Sequence, residues 1–533
     1  MKHIFNTLII GSLIAATATS CTAKFEDINT EPYRPGDLSL DDYALGSAMN
    51  NLASCVISSD VNTAQFTDCV LGGTMGGYFA DSNGNWKNTI SFFNPVDDWT
   101  RVFLKSDLVL PVLFSNLNIV ELVAQNTENP VLTAIAQVIK VAAMHRICDT
   151  YGPIPYSQIG ADGKITTPYD SEEMVYNKFF EELDAAIAIM QENLDYRLTP
   201  TADYIYQGNI KQWVRFANSL KLRLAMRIVN VAPDKARQMA ESAVDPQFGG
   251  VIEENKDNAA WNYFQGAIDN PIFVAKEYNH ADSKTGGDSH VAADIIVYMN
   301  GYDDPRREKY FIKSEWRGID YVGMRRSALI PDLAPDGQKY SGINISPKAP
   351  IYWMNAAEVA FLRAEAKAVY DFNVGGEAKD FYEEGIRLSF EQWQVDGAEA
   401  YLAKDTKKSI SYVDPLGINS YDQELTEVTV KWDEGASREE KQERIIIQKW
   451  IANWILGHEA WSDYRRTGYP RMIPATAAGN KSGGIVDSQR GARRMPYPTA
   501  EYSDNSENIK HAVNTYLGGQ DNMGTDLWWA KKN

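Results

Sequence analysis

The feature that most constrains this chain is the three-to-four-residue spacing of its apolar side chains, which recurs in long runs. "NPVLTAIAQVIKVAAMHRICD" starts with Asn129 as a cap and Pro130 at the first helical position. Val131, Ile135, Val138, Ala142 and Ile147 then return at helical intervals. "YDSEEMVYNKFFEELDAAIAIMQENL" opens with Asp170 and Glu173 at capping-box spacing and carries a stripe of Phe179, Phe180, Leu183, Ile187 and Met190. "NIKQWVRFANSLKLRLAMRIVNV" lines up Trp213, Phe216, Leu220, Leu224 and Ile228 on one face. "NAAEVAFLRAEAKAVYDF" and "EAKDFYEEGIRLSFEQW" read as a helix pair, and "ASREEKQERIIIQKWIANWILGHEAWSDYRR" as one more long helix. In that helix Trp450, Trp454 and Trp461 form a packing stripe, and Arg465 and Arg466 stand at its end, where carbonyl dipoles and nearby acids can hold them. Antiparallel pairs at roughly forty-residue intervals predict a mostly α, TPR-like solenoid, although no repeat consensus is legible.

Between the pairs lie polar, aromatic, Gly-rich segments: 72–98, 196–208, 245–350, 396–440 and 468–533. They are too long for simple connectors, and structured loops on a helical scaffold are where binding surfaces sit. The first twenty residues stand apart. "MKHIFNTLIIGSLIAATATSC" has Lys2, then a mainly apolar run from Ile4 to Ala16, then small residues before Cys21. That run is too short to span a bilayer and has the layout of a secretory signal. The Cys directly after it resembles a bacterial lipobox, in which the signal is cut before Cys21 and the thiol is acylated; a plain signal would leave Cys21 ordinary. The remaining chain shows no comparable apolar run, so no membrane-spanning helix is expected.

With 71 Asp+Glu against 52 Lys+Arg the net charge is −19, which a phosphate backbone would repel; nucleic acid is excluded as a partner. Asp81, Asn83 and Asn85 begin like a calcium loop, but Trp86 stands where Gly is required and Phe92 where Glu is required. The six His show no metal spacing, and "HEAWS" has Ser462 in place of a second His. No G-x-S-x-G or Walker loop is present, so no metal, cofactor or catalytic residue is expected; a bound structural calcium is left open. Cys55, Cys69 and Cys148 are too few for a disulfide framework. Cys55 and Cys69 can close a small loop, or all three can be buried thiols.

"HRICDTYGPIPYSQ" gathers His145 and Cys148 near a helix end. Gly152 is placed to end the helix, Pro153 and Pro155 force an extended exit, and Tyr151 and Tyr156 can pack on opposite sides of it. This reads as a rigid turn rather than a Cys–His active site, which would need a third, orienting group.

Sugars present apolar C–H faces and hydroxyl edges, so a binder needs flat rings among short amides and carboxylates. Segment 78–98 offers Phe79, Asp81, Asn83, Asn85 and Trp86, with Gly72, Gly73, Gly76, Gly77 and Gly84 permitting an exposed, bent backbone. Segment 278–326 offers Tyr278, His280, Asp288, Trp316, Tyr321 and Arg326. The alternative is that these side chains pack the loops onto the scaffold.

"DTYGPIPYSQ" resembles the signature of the SusD/RagB family of outer-membrane nutrient-binding lipoproteins. "CTAKFEDINTEPYRPGD", "YDSEEMVYNKFFEELDAA", "IYQGNIKQWVRFANSLKLRLAMRI", "AEVAFLRAEA", "YEEGIRLSF", "EAWSDYRRTGYP" and "RRMPYPTAEYSDN" resemble further blocks in family order. Pro153 departs from the acidic residue often found there, which touches turn geometry only. The resemblance implies a TPR-like scaffold carrying an irregular, loop-rich ligand-binding lobe. It divides the chain into a signal (1–20), a lipid-anchored tether (21–44), an N-terminal helical scaffold (45–245) with binding loop 72–98, a ligand lobe (246–350), C-terminal helical pairs (351–470) and an irregular end (471–533). It further implies a non-catalytic protein anchored in outer-membrane lipid through Cys21 and facing outward. Such a protein passes oligosaccharide to a SusC-like TonB-dependent transporter. Peptide cargo on the same architecture is the first alternative and a surface-anchored glycosidase the second.

Overall fold

The computed structural model describes residues 42–83, 90–96, 109–160, 166–262, 269–277, 285 and 287–531; the leader and Cys21 lie outside this set. Asp42–Ala53 packs on Leu110–Asn126, and the chain then adds Pro130–Tyr151, Glu172–Gln191, Ile210–Arg227 and Pro233–Val244, each against the one before. In the second half Ala356–Tyr370 packs on Ala378–Gln392 and Arg438–Ala452. Ala356–Tyr370 also meets Ile210–Arg227, which joins the two helical halves. The mostly α architecture of helical hairpins is the one the periodicity predicts.

The local signals explain most helix starts. Asn129 accepts the Val131 N–H at 3.2 Å, with Pro130 in the first turn. The second start is different: Ser171, not Asp170, is the cap, and its hydroxyl accepts the Met174 N–H at 3.3 Å. Asp170 is drawn away because its carboxylate takes the Ser157 N–H at 2.6 Å and the Ser157 hydroxyl at 2.9 Å. The single long helix expected around 438–466 is two, Arg438–Ala452 and Gly457–Thr467. Ile455, with φ of 81°, turns the chain between them. The cause is tertiary: a Cβ on Gly457 would stand 2.2 Å from the Gly72 carbonyl carbon, so the backbones meet where a continuous helix would collide. Trp450, Trp454 and Trp461 are all buried, but they belong to one helix, the break and the next helix rather than to one stripe.

Among the described residues one helix, Pro130–Tyr151, is long and apolar enough to cross a membrane by length and composition, but 89% of its apolar window is buried inside the protein, as in a core helix. At its end Gly152, φ 93°, stops the helix, and Ile154–Pro155 exits extended to pair with Tyr169–Asp170. Tyr151 stacks on Tyr497 at 6.0 Å, and Tyr156 meets Phe179 edge-on at 5.1 Å. Burial pushes the Cys148 thiol well above its ordinary value, and its Sγ donates to the Gly152 carbonyl at 3.4 Å. Burial, with Arg223 nearby, lowers His145 to about 3, so its imidazole is neutral. The gap beside it, lined by His145, Arg146, Arg223 and Glu459, measures about 30 Å³, room for a water rather than a substrate. Cys55, Cys69 and Cys148 are all free, buried thiols.

The strands are short. In chain order they are Phe79–Asp81 (β1), Ile154–Pro155 (β2), Tyr169–Asp170 (β3), Ala259–Trp261 (β4), Ser289–Val291 (β5), Phe311–Ile312 (β6), Gly342–Ile343 (β7) and Ile351–Met354 (β8). Among the described residues they form four antiparallel ribbons, β1–β5, β2–β3, β4–β8 and β6–β7. Of these, β1–β5 joins segment 72–98 to segment 245–350, β6–β7 folds the second segment on itself, and β4–β8 ties it to the residues just before the Ala356–Tyr370 helix.

Candidate ligand-binding site

The β1–β5 ribbon brings the two sequence-predicted loop segments together. Asp81 pairs with Ser289 in an antiparallel register, so the chain leaves β1 at the end where it enters β5. The Ser82 N–H donates to the Asp288 carbonyl at 2.9 Å, and the Ser82 hydroxyl donates to the Gly287 carbonyl at 2.8 Å. Asn83 Nδ2 and Gln65 Nε2 each donate to one oxygen of the Asp288 carboxylate, at 3.0 and 3.1 Å. His290 bridges the Ser82 and Thr285 hydroxyls at 2.7 and 2.9 Å. Residues about 200 positions apart thus form one polar staple, and only 1% of Asp288 is exposed.

Several candidates from the sequence are reassigned by this geometry. Phe79 is buried, edge-on to Trp454 at 5.5 Å. Arg326 is buried too: its Nε and Nη2 grip the two Asp294 carboxylate oxygens at 2.8 and 2.9 Å, and its Nη1 donates to the Thr74 carbonyl at 3.0 Å. Asn83 and Asp288 are the staple itself. Gly72, Gly73 and Gly76 serve close packing rather than exposure; a Cβ on Gly72 would lie 2.7 Å from the His458 ring and one on Gly76 2.6 Å from the Gly457 carbonyl oxygen. Asp81 is half-buried and accepts from the Ser91 hydroxyl at 2.5 Å. Trp316 and Tyr321 are half-buried: Trp316 meets Tyr340 edge-on at 5.9 Å with the Lys339 ammonium 4.9 Å over its ring, and Tyr321 carries Arg307 at 5.7 Å. Asn85, Trp86, Gly84, Tyr278 and His280 lie outside the described residues. Their segments, however, are entered from Asn83 and left toward Thr285 and Gly287, which the staple holds together.

Sequence reasoning missed an apolar recess. A cavity of about 320 Å³ opens between the ends of the helices and the 344–352 segment. Trp393, Trp454, Tyr352, Ile272 and Ile345 are among its lining, with Asn270, Asn344 and Gln392 supplying amides. Its size and its apolar walls with few polar groups match a small-ligand site. Trp454 stacks on Tyr310 at 5.4 Å, and Tyr310 meets Trp393 at 4.6 Å, so the aromatic wall is rigidly backed. Trp454 is 4% exposed, yet its indole N–H and that of Trp393 have no hydrogen-bond partner among the described residues. Asn270 is committed, its oxygen capping the Pro271–Glu277 helix through the Ile272 N–H at 2.8 Å and its Nδ2 donating to the Ala349 carbonyl at 3.0 Å. The carboxylate among the lining residues is Asp68, ion-paired to Arg146 and accepting from Thr67 Oγ1 at 2.7 Å; a second, facing carboxylate for glycoside hydrolysis is not in that lining. The sequence held one usable signal, Trp393 directly after the amphipathic Ala378–Gln392 helix.

The fold and this site define a helical binding protein with a loop-built recess. The family model "SusD-like: Susd and RagB outer membrane lipoprotein" matches residues 27–530. The chain therefore belongs to the SusD-like family of outer-membrane lipoproteins. A SusD homologue from Bacteroides uniformis ATCC 8492 superposes with a TM-score of 0.90 at 62% identity, covering 92% of this chain and 100% of its own. A SusD homologue from Bacteroides thetaiotaomicron VPI-5482 gives 0.83 at 38%, covering 92% and 99%. A chitin-binding SusD homologue from Flavobacterium johnsoniae gives 0.83 at 35%, again covering 92% and 99%. Among curated protein sequences no relative matches the chain.

Proposed function

We propose that this protein captures oligosaccharide at the β1–β5 loop face and the adjoining aromatic cavity. It then passes the sugar to a SusC-like TonB-dependent transporter without cleaving it. The observation that carries this reading is the juxtaposition of a backed tryptophan wall and loops rich in short amides. Indole faces suit the C–H faces of pyranose rings, and side-chain amides suit their hydroxyls. Family membership and the chitin-binding relative support the cargo class. Acylation at Cys21 would hold the chain on the outer membrane, facing outward; two or more acyl chains give stable anchoring. Trp86, Asn85, Tyr278 and His280 are candidate ligand contacts from the sequence, as are the half-buried Asp81, Trp316 and Tyr321.

The test is calorimetric titration of the purified chain with a panel of oligosaccharides and of peptides. At least one glycan should bind, and Trp393→Ala should weaken it while the protein stays folded. Binding of peptides alone would replace the glycan reading with peptide cargo. Release of reducing sugar would replace it with hydrolysis.

A further inference from the structure

A second recess lies away from the cavity, behind the C-terminal end of the Gly457–Thr467 helix. It is an open groove of about 520 Å³, and Arg465, Arg490, Arg493 and Lys531 line it together with a single carboxylate, Asp526. Four cations against one anion is a local excess on a chain whose net charge is −19.

The excess is not cancelled within the groove. Asp526 is shared: its oxygens accept from Arg490 Nη2 at 2.7 and 3.0 Å and from Arg493 Nε at 2.5 Å. Arg465 is 2% exposed and is satisfied by neutral oxygens only. Its Nη1 donates to the Asp149 and Arg493 carbonyls at 2.5 and 3.1 Å, and its Nη2 to the Ser462 hydroxyl at 3.0 Å. Its guanidinium lies between Trp461, 3.7 Å from the ring centroid, and Trp529, at 4.8 Å. The helix end it occupies offsets part of that charge. Arg490, Arg493 and Lys531 are not on that helix and gain nothing from it. Arg490 Nε and Nη1, Arg493 Nη1 and the Lys531 ammonium make no hydrogen bond to the described residues; the Lys531 ammonium lies beside Gly518, and the buried Glu172, outside the groove's lining, offsets part of its charge.

We propose that this groove is an oxyanion site for a phosphate monoester. A dianion with three terminal oxygens matches both the surplus charge and the number of spare donors, and guanidinium forks grip such oxygens in pairs. A monocarboxylate would satisfy fewer donors and leave more charge unmatched. Two sources present this group to a cell-surface protein: a phosphorylated sugar in solution and a phospholipid headgroup.

The purified full chain is titrated at low salt with inorganic phosphate, glucose 6-phosphate and a short-chain phosphatidic acid below its micelle concentration. Galacturonate is the carboxylate control. Phosphate and at least one monoester should bind, more weakly as salt rises. The exposed double variant Arg490→Gln/Lys531→Gln should lose at least tenfold in affinity with an unchanged melting temperature. Glucose 6-phosphate binding best identifies a solute, and the phosphatidic acid binding best identifies a lipid; either supports the site. Failure of every phosphate probe to bind the folded protein, galacturonate binding in their place, or undiminished affinity in the folded double variant overturns it. Glycan titration of the same samples keeps this result separate from the cavity's.

Discussion

Between the helices Ile210–Arg227, Ala356–Tyr370, Arg438–Ala452 and Gly457–Thr467, buried charges meet opposite charges; in the staple that joins β1 to β5, buried polar groups meet amides and hydroxyls. In the first region Arg223 grips Glu358 at 2.7 Å, Arg227 pairs with Glu459, Lys449 reaches Glu459 and Asp463 at 2.8 Å each, and Arg466 grips Glu365 at 2.7 Å. In the second, Asp288 is held by the Asn83 and Gln65 amides and His290 by two hydroxyls. The ionic lattice has directional partners on several helices at once, so only one mutual arrangement satisfies it. The amide staple fixes where two loops meet. The indole donors of Trp393 and Trp454, between the two regions, are left unused. That is the division expected where a helical scaffold presents structured loops.

The sharpest way to break the comparison is to remove one member of the lattice. Burial alone would raise the Glu459 carboxyl, but Arg227, Lys449 and Arg223 overcome it and hold it well below the ordinary range. Glu459→Gln takes one carboxylate from three buried cations, which keep Glu358, Asp463 and Asp149 as their remaining partners, and should cost about 3 kcal/mol, read as a fall in melting temperature. Ligand affinity of the folded fraction should stay within twofold; a large loss of affinity at unchanged stability would mean the lattice reaches into the site.

Acid should attack the scaffold next. Burial, first of all, holds His145 at about 3 and His458 well below its ordinary value. The unfolded chain takes up these protons below about pH 6.5, so the stability they contribute is full above that and falls as pH drops toward the folded values. The slope is about 1.4 kcal/mol per pH unit for each fully buried His. Glu172 acts with the opposite sign: burial raises it to about 7 despite the Trp528 N–H it accepts, so protonation there favours the folded state between pH 7 and its ordinary 4.5. Melting temperature should therefore fall on acidification, and His145→Gln should flatten the slope. An equal slope in that variant would remove His145 from the account.

On the other side of the comparison, Trp393→Ala should reduce glycan affinity by about 2 kcal/mol, roughly thirtyfold, with only a few degrees lost in the melt. The smallest effect is expected at the staple. Asn83→Ala removes one amide from Asp288 and should cost about 1–2 kcal/mol of stability, with affinity changed by less than fivefold. If the two variants exchange phenotypes, the cavity is structural and the staple is the site.

Helices, their starts and the turn at 152–156 were readable in the sequence because they depend on neighbours within about four residues: Asn129 and Pro130, Gly152, Pro155. Even there a competing partner at longer range decided the detail, as when Ser157 took Asp170 from the helix start and left Ser171 to cap it. Of the candidate site, the two segments were legible from composition, because rings among amides are unusual in connectors. Which of their side chains face a ligand was not. Phe79 and Trp316 carry the same kind of local signal, yet one is sealed against Trp454 and the other is half-buried at a loop edge.

By itself the sequence determined an α-helical scaffold of paired helices, a net acidic charge and two loop segments rich in rings and short amides. Each follows from local periodicity, charge count or composition. Only the tertiary structure decided that Gly72 and Gly457 touch and split a long helix, that β1 meets β5, and that Trp393 and Trp454 wall one cavity. These are contacts between residues up to several hundred positions apart. Their partners are chosen by how whole helices pack, which local spacing in the chain does not encode.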